Sequence, residues 1–145
     1  MIKIICLGKI KEAYLTDLID DYLKRIRKYH KIEIIELKDE EDLVSEAKNI
    51  EKYIGANDYV VTLEIDGKSY TSLEFAELLD KTFITHSTIT FIIGSSTGLH
   101  DSIKKISNLS LSFSRFTFPH GLFRGILLEQ IYRAFKILNH EAYHK

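Results

Sequence analysis

Residues 88–98 read TITFIIGSSTG, and this stretch decides the fold class that the sequence predicts. Thr88 to Ile93 is a nearly continuous run of apolar and β-branched residues, which is typical of a strand in a sheet covered on both faces. Gly94 and Gly98 follow, and they allow the backbone to turn sharply before the next helix. The stretch therefore predicts a buried strand, a tight loop and a helix in succession.

The same alternation of strand and helix extends to both ends of the chain. The predicted strands are Met1–Gly8, Lys31–Lys38, Tyr59–Ile65 with a turn at Asp66–Gly67, Thr88–Ile93 and Leu109–Ser114. The predicted helices are Glu12–Tyr29, Asp39–Gly55 with Gly55 as its stop, Ser72 to about His86, Leu99–Ser107 and Gly121–Leu138. This order predicts a single α/β domain, residues 1–145, with a mainly parallel sheet between helices.

The composition limits the classes of protein that the sequence fits. Cys6 is the only cysteine and lies in an apolar run, so we expect a buried thiol and no internal disulfide. Neither a signal peptide nor an apolar run of membrane-spanning length is evident, which predicts a cytoplasmic protein with no membrane partner. The formal net charge of −1 does not favour general binding of polyanions. Residues 115–145, however, contain five Lys or Arg, three His and two acidic residues, so an acidic partner is expected there.

Three predicted strand ends are candidates for a binding site, because ligands of open α/β sheets bind at the carboxyl ends of the strands. They are Leu63–Gly67, Gly94–Gly98 and Phe113–His120. The glycine loop matches neither G-x-G-x-x-G nor a lysine-containing phosphate loop, so dinucleotide and nucleoside-triphosphate binding lack support. Taken alone, it also fits an ordinary strand-to-helix turn.

The loop Phe113–Phe118, FSRFTF, combines three phenylalanines, an arginine and two hydroxyl residues. Pro119 is the only proline; it fixes its own φ and favours an extended Phe118, so we expect one defined loop shape. Such a loop can enclose a flat aromatic ring while its amides bond the polar edge of the ring. An equally good interpretation is that the phenylalanines belong to the core.

Two kinds of catalytic site lack support in the sequence. The histidines show no spacing typical of metal ligands and H-E-x-x-H is absent, so no metal is expected. The G-x-S-x-G motif of one hydrolase class is also absent.

Five segments together form a recognisable combination. They are MIKIICLGKIKEAY (1–14), VTLEIDGK (61–68), ITFIIGSSTGLH (89–100), LSLSFSRFTFPHGLFRGILLEQIYRAFKI (109–137) and HEAYHK (140–145). This combination closely resembles the ribosomal RNA large subunit methyltransferase H family, a group of small SPOUT-class enzymes. The resemblance extends over essentially the whole chain and is most specific between Leu109 and Lys145.

The resemblance implies transfer of a methyl group from S-adenosylmethionine to N3 of a pseudouridine in 23S rRNA, in the large ribosomal subunit or whole ribosome. It also implies a trefoil knot near the C-terminus and a homodimer. Ser95 stands where the family usually has a second glycine, and we expect this departure to alter the loop without abolishing binding. The family's cofactor contacts correspond to Leu63, Gly94, Phe113, Ser114, Arg115, Phe116, Thr117 and Phe118.

The implied reaction must remove a proton from N3. A neutral imidazole is the usual base near neutral pH, but the sequence leaves the choice open. The candidate bases are His120, His144 and a water held by Glu129 or Tyr143. The candidates for phosphate contacts or for stabilising developing negative charge are Arg124, Arg133 and Lys145.

Two other functions remain compatible with the sequence. One is a methyltransferase that acts on tRNA, and the other is a nucleotide- or RNA-binding module without catalysis. Because the net charge is poorly suited to gripping naked RNA, we expect the shape of an assembled ribosome to supply much of the recognition.

Overall fold

The computed structural model describes residues 1–145 and contains five strands that alternate with five helices. The strands are β1 (Ile2–Leu7), β2 (Ile32–Leu37), β3 (Tyr59–Ser69), β4 (Ile89–Ile93) and β5 (Leu109–Ser112). The helices are α1 (Ala13–Ile26), α2 (Leu43–Glu51), α3 (Ser72–Thr85), α4 (Asp101–Ile106) and α5 (His120–Leu138). The predicted order of elements is confirmed.

All five strands are parallel and lie in the order β2-β1-β4-β3-β5. Every residue of β4 is buried, as its apolar run predicts. Because parallel strands end at the same edge of a sheet, the loops after β3, β4 and β5 emerge next to one another. The predicted α/β fold with a mainly parallel sheet is therefore confirmed.

Helices cover both faces of the sheet. In β1, Ile2, Ile4 and Cys6 point into a cluster that contains buried residues of α1, α3 and α5. Their neighbours Ile5 and Leu7 point the other way, into a cluster with residues of α2 and α4. Burial raises the pKa of the Cys6 thiol to about 12, in agreement with the expected inert thiol.

Two local predictions are wrong. The turn at Asp66–Gly67 does not form, because β3 continues through it and its register against β5 shifts between Leu63 and Lys68. A Cβ on Gly67 would lie 2.8 Å from backbone atoms of β5, so this glycine permits close strand approach and makes no turn.

The second wrong prediction concerns the bounds of α2. Asp42 begins the helix as its N-cap by accepting a hydrogen bond from the Ser45 amide at 2.8 Å. The helix already ends at Glu51, and Gly55 lies beyond it, where its amide donates to the Asp58 carboxylate at 2.8 Å. Gly55 is therefore not the helix stop.

Helices α1 and α5 run side by side in the same direction. At their starts, Leu15 lies against Gly121. Towards their ends, the rings of Tyr22 and Tyr132 are 6.0 Å apart, and Tyr29 stacks on Phe135 at 5.7 Å. The pair thus has one end beside the carboxyl edge of the sheet and one end far from it. None of the five helices combines the length and the hydropathy needed to cross a membrane.

Candidate functional site

A cavity of about 690 Å³ lies at the carboxyl ends of β3, β4 and β5. Its volume falls within the usual range for small-molecule sites, roughly 300–1,000 Å³. Arg115 is exposed and does not line it. The structure brings seven of the eight predicted cofactor positions together on its walls: Leu63, Gly94, Phe113, Ser114, Phe116, Thr117 and Phe118.

The glycine loop after β4 forms one wall of this cavity. A Cβ on Gly94 would lie 2.7 Å from the carbonyl oxygen of Gly98, a distance that real side chains do not tolerate. Gly98 has a φ of +88°, and its amide donates to the Ser95 carbonyl at 2.9 Å. The loop therefore closes tightly on itself, and only glycine fits at position 94.

The phenylalanines of the FSRFTF loop divide between core and surface. Phe113 packs edge-on against Phe75 and Phe123, at centroid distances of 6.1 and 5.3 Å. Phe118 stacks on Phe123 at 6.0 Å, whereas Phe116 is 78% exposed at the cavity. Two of the rings thus belong to the core, as one interpretation of the loop expects, and the third is exposed at the cavity.

Hydrogen bonds of two serine hydroxyls, together with Pro119, give the loop its shape. The Ser114 hydroxyl accepts a hydrogen bond from the Phe116 amide at 2.9 Å, and the Ser112 hydroxyl donates to the Ile65 carbonyl at 2.8 Å. Pro119, with a φ of −57°, directly precedes α5. Pro119 thus occupies the N-cap position of α5 and joins the loop to the helix.

Charged residues that the sequence analysis missed also line the cavity: Glu64, Asp66 and Lys104. The Glu64 carboxylate accepts hydrogen bonds from Ser110 at 2.7 Å and Thr62 at 2.8 Å. Burial alone would raise the pKa of Glu64, but these bonds and the Lys104 charge outweigh it, so its pKa is lowered. Glu64 and Asp66 could have been predicted as cavity residues from their position in the strand end Leu63–Gly67.

The candidate catalytic residues lie at separate places in one chain. His120, the first residue of α5, lines the cavity. Arg124, one turn later, is 2% exposed and directs its guanidinium to Glu36 at 2.6 Å and to the carbonyls of Leu7 and Gly8 at 2.9 and 2.7 Å. The guanidinium of Arg124 is thus bound inside the protein by Glu36 and two backbone carbonyls, and it is not exposed for the predicted phosphate contact.

The tail residues Tyr143 and His144 lie at the other end of α5. The Tyr143 ring packs edge-on against Tyr132 at 5.0 Å, with the Arg133 guanidinium 4.8 Å from its centroid. His144 Nδ1 lies 3.2 Å from Arg133 Nη1. Burial and a hydrogen bond with Tyr22 raise the pKa of Tyr143 to about 12, so its phenol stays protonated at neutral pH.

Thirteen residues of helix separate His120 from Arg133, which corresponds to about 20 Å at 1.5 Å per residue. His144 is anchored beside Arg133. One chain therefore does not bring His120 and His144 together.

A second cavity, of about 660 Å³, adjoins the first. Ser95, Ser96, Pro119 and His120 line both of them. Its other wall is rich in carboxylates: Glu12, Asp39, Glu40, Glu41 and Glu46. No three His, Cys, Asp or Glu side chains anywhere in the chain form a group that could hold a metal ion.

The parallel sheet and the ligand-sized cavity beside the glycine loop place this chain among the α/β domains that bind small molecules at their strand ends. The model of the family described as "Predicted SPOUT methyltransferase" matches residues 1–144. The chain belongs to this family.

Full-length relatives support the assignment. The chain is 47% identical to the ribosomal RNA large subunit methyltransferase H of Caldicellulosiruptor saccharolyticus, over 100% of both chains. It is also 47% identical to the protein of the same name from Clostridium botulinum, over 99% of both. A crystal structure of the SpoU methyltransferase AviRb from Streptomyces viridochromogenes shares the fold, with a TM-score of 0.51 and 9% identity. That alignment covers 98% of this chain and 62% of AviRb.

Proposed function

We propose that this protein transfers a methyl group from S-adenosylmethionine to N3 of a pseudouridine in 23S rRNA, and that its substrate is the assembled ribosome. Two relatives that match over their full length carry the name ribosomal RNA large subunit methyltransferase H. The observation that carries the proposal is the meeting of three strand ends, far apart in sequence, around one cavity.

The residues of this cavity suit S-adenosylmethionine, which supplies an activated methyl group on a positively charged sulfonium. Phe116 offers an exposed aromatic face for the adenine ring. The backbone at Gly94 and Gly98 is free of side chains that would hinder close approach. Glu64 and Asp66 provide negative charge that suits a cationic ligand.

His120 is the proton acceptor that fits the site best within one chain. It lines both the cofactor cavity and the acidic cavity, so an incoming base that reaches the cofactor passes this side chain. In our proposal its imidazole would accept the N3 proton of the pseudouridine while the nitrogen displaces the sulfur from the methyl carbon, so that the carbon–sulfur bond breaks as the nitrogen–carbon bond forms. Holding the base and the methyl group in line supplies much of the rate enhancement, about 7–11 kcal/mol in favourable cases.

A homodimer would bring the tail to this site. The helices α1 and α5 run in the same direction, and the two ends of this helix pair differ in charge. The start carries the acidic cavity, and the far end carries three exposed cations that take part in no ion pair: Lys24, Arg27 and Lys28. A two-fold axis that pairs these helices in antiparallel fashion brings each basic end onto the partner's acidic end.

In such a dimer, the tail of the second copy lies next to the His120 of the first. Tyr143 and His144 then contribute to the site from across the interface, with Tyr143 as a hydrogen-bond donor. Lys145 belongs to the same end of the molecule and is exposed for phosphate contacts, whereas Arg133 is already paired with Glu129. The trefoil knot near the C-terminus is part of this proposal, as an element that shapes the FSRFTF loop.

Nucleoside mass spectrometry tests the proposed function. Ribosomes from cells that lack this activity are treated with the protein and S-adenosylmethionine, and their 23S rRNA is digested and sequenced by mass. We expect one new methyl group on one pseudouridine. A methyl group on another nucleotide or on tRNA would contradict the assigned substrate, and a protein that binds the donor without transferring the methyl group would be a binding module.

A further inference from the structure

Hydrogen bonds tie the glycine loop of the cofactor cavity to α2. Ser95 Oγ donates to Glu46 Oε1 over 3.0 Å, and Glu46 Oε2 accepts from the Glu40 backbone amide over 3.1 Å. Thr97 Oγ1 lies 2.9 Å from Ser95 Oγ. Because the one hydroxyl proton of Ser95 is directed at Glu46, Thr97 is the donor in this last contact. A continuous chain of hydrogen bonds thus runs from Thr97 to the Glu40 amide.

Because Glu46 is buried, these hydrogen bonds restrict the movement of the glycine loop. Glu46 is only 3% exposed and forms none of the ion pairs of the protein. A buried carboxylate is costly unless its oxygens are hydrogen-bonded. Ser95 and the Glu40 amide supply one donor to each oxygen. A loop that moved away from α2 would leave one oxygen of a buried charge without its donor.

The serine at position 95 is what makes this link. A glycine at position 95 would carry no group that reaches Glu46. Ser95 and Ser96 line the cofactor cavity, whereas Glu46 lies behind the loop and lines only the acidic cavity. Glu46 therefore contacts the loop that lines the cofactor cavity through Ser95.

We propose that Glu46 is a positioning residue of this methyltransferase, which fixes the cofactor loop through Ser95. The inference rests on the proposed function, since that function assigns the loop to S-adenosylmethionine. The pair Ser95–Glu46 restricts the loop to the conformation that receives the cofactor, and so lowers the entropy lost on binding. The hydroxyl group of Ser95 then strengthens cofactor binding in this chain.

A double-mutant cycle on cofactor affinity tests the inference. The dissociation constant for S-adenosylmethionine is measured by calorimetry for the wild type, Ser95→Ala, Glu46→Ala and the double variant. We expect each single change to raise it about tenfold, the loss of one hydrogen bond to a charged group. The double variant should bind no more weakly than either single variant, because both changes break the same series of hydrogen bonds.

Two further variants separate positioning from general stability. In Glu46→Gln the amide oxygen still accepts from the Glu40 amide and the amide nitrogen still reaches Ser95, so most of the lost affinity should return. Glu51→Ala removes an exposed carboxylate from the same helix and should leave cofactor affinity unchanged. The KM for ribosomes should stay constant throughout the series, since only the donor site is affected.

The possible outcomes are distinct. Wild-type affinity in Ser95→Ala, or additive losses in the double variant, would overturn the inference while the proposed function stands. A wild-type protein that fails to bind S-adenosylmethionine would overturn the proposed function itself and this inference with it. Ser95 lies on a partly exposed loop, so Ser95→Ala is expected to fold even if Glu46→Ala does not.

Discussion

Arg124 and Glu36 form an ion pair that joins the first turns of α5 to the end of β2, with 2.6 Å between Nη1 and Oε2. The other terminal nitrogen of Arg124 donates to the carbonyls of Leu7 and Gly8, at the end of β1. The start of α5, which carries His120, is thereby fixed to two strand ends. We interpret Arg124 as a residue that holds the site in shape and leaves RNA contacts to other cations.

Removal of Arg124 should therefore weaken the fold. In Arg124→Leu, two backbone carbonyls lose their donors in a buried place, so we expect a loss of about 2–4 kcal/mol in the free energy of unfolding. Glu36→Gln should cost less than Arg124→Leu, because its amide oxygen still accepts and the carbonyls of Leu7 and Gly8 still bond the guanidinium. Urea unfolding measures both, and equal losses would contradict the interpretation.

Replacement by alanine should have different effects at Gly94 and Gly98, the two glycines of the glycine loop. At Gly94 a Cβ meets the Gly98 carbonyl at 2.7 Å, so the loop must shift. A displacement of about 1 Å near reacting atoms can lower a rate about 100-fold, and we expect a loss of this size in methyl transfer by Gly94→Ala.

Gly98→Ala is the matched comparison, because a Cβ there meets nothing within 4 Å. Its φ of +88° costs an alanine about 1–2 kcal/mol of strain, so stability should fall more clearly than activity. Steady-state assays and thermal unfolding of the two variants distinguish these effects. Equal rates of methyl transfer in both variants would argue against a tight cofactor loop.

The tail should act on the site of a second copy. A chain that ends at Asn139 lacks Tyr143 and His144, which lie about 20 Å from His120 along α5 in the same chain. We expect this truncated chain to bind S-adenosylmethionine but to transfer the methyl group poorly.

A mixture supplies the decisive control for the tail. When the truncated chain is refolded together with the full-length Gly94→Ala chain, mixed dimers contain one intact cofactor loop and one intact tail. Partial recovery of methyl transfer in the mixture is the expected result. No recovery, although mass measurement shows mixed dimers, would mean that each chain uses its own tail.

Asp58 should make stability depend on pH at the acid end. Its carboxylate accepts hydrogen bonds from Lys3 at 2.7 Å, the Gly55 amide at 2.8 Å and Thr90 at 2.9 Å. Burial alone would raise the pKa of Asp58, but these bonds outweigh it, and the pKa is lowered below its model-compound value of 3.8.

Because the folded-state pKa of Asp58 lies below the unfolded one, its contribution is present above the unfolded pKa and is lost as pH falls through the folded pKa. Asp58→Asn should cost about 2 kcal/mol near neutral pH. The difference from the wild type should shrink as the pH is lowered below about 4, where the wild type also loses the charge. Unfolding curves over this pH range check the trend, and a constant difference would contradict it.

The strands and helices were predictable because their apolar periodicity directly reflects burial. The run TITFII specifies a central strand, and α1 buries Leu15, Ile19, Leu23 and Ile26 at helical spacing. The continuation of β3 through Asp66–Gly67 was not predictable from residue preferences alone. There, the close approach of β5 decides the backbone, and that contact joins residues more than forty positions apart.

The candidate site was predictable only in part, for a similar reason. Position at a strand end was enough to group Leu63, Gly94 and the FSRFTF loop, because parallel strands bring their carboxyl ends together. Nothing in the sequence indicates that Arg124 pairs with Glu36, or that Glu46 reaches Ser95. Such pairs depend on the packing of α5 and α2 against the sheet, which single residues do not encode.

The most direct test of the central claim is transfer of labelled methyl from S-adenosylmethionine to ribosomes from cells that lack this activity, with naked 23S rRNA in parallel. We expect label in the ribosomes, confined to one pseudouridine, and little in the naked RNA. Gly94→Ala should abolish most of the signal. Absence of label in both substrates, with cofactor binding intact, would contradict methyl transfer to rRNA.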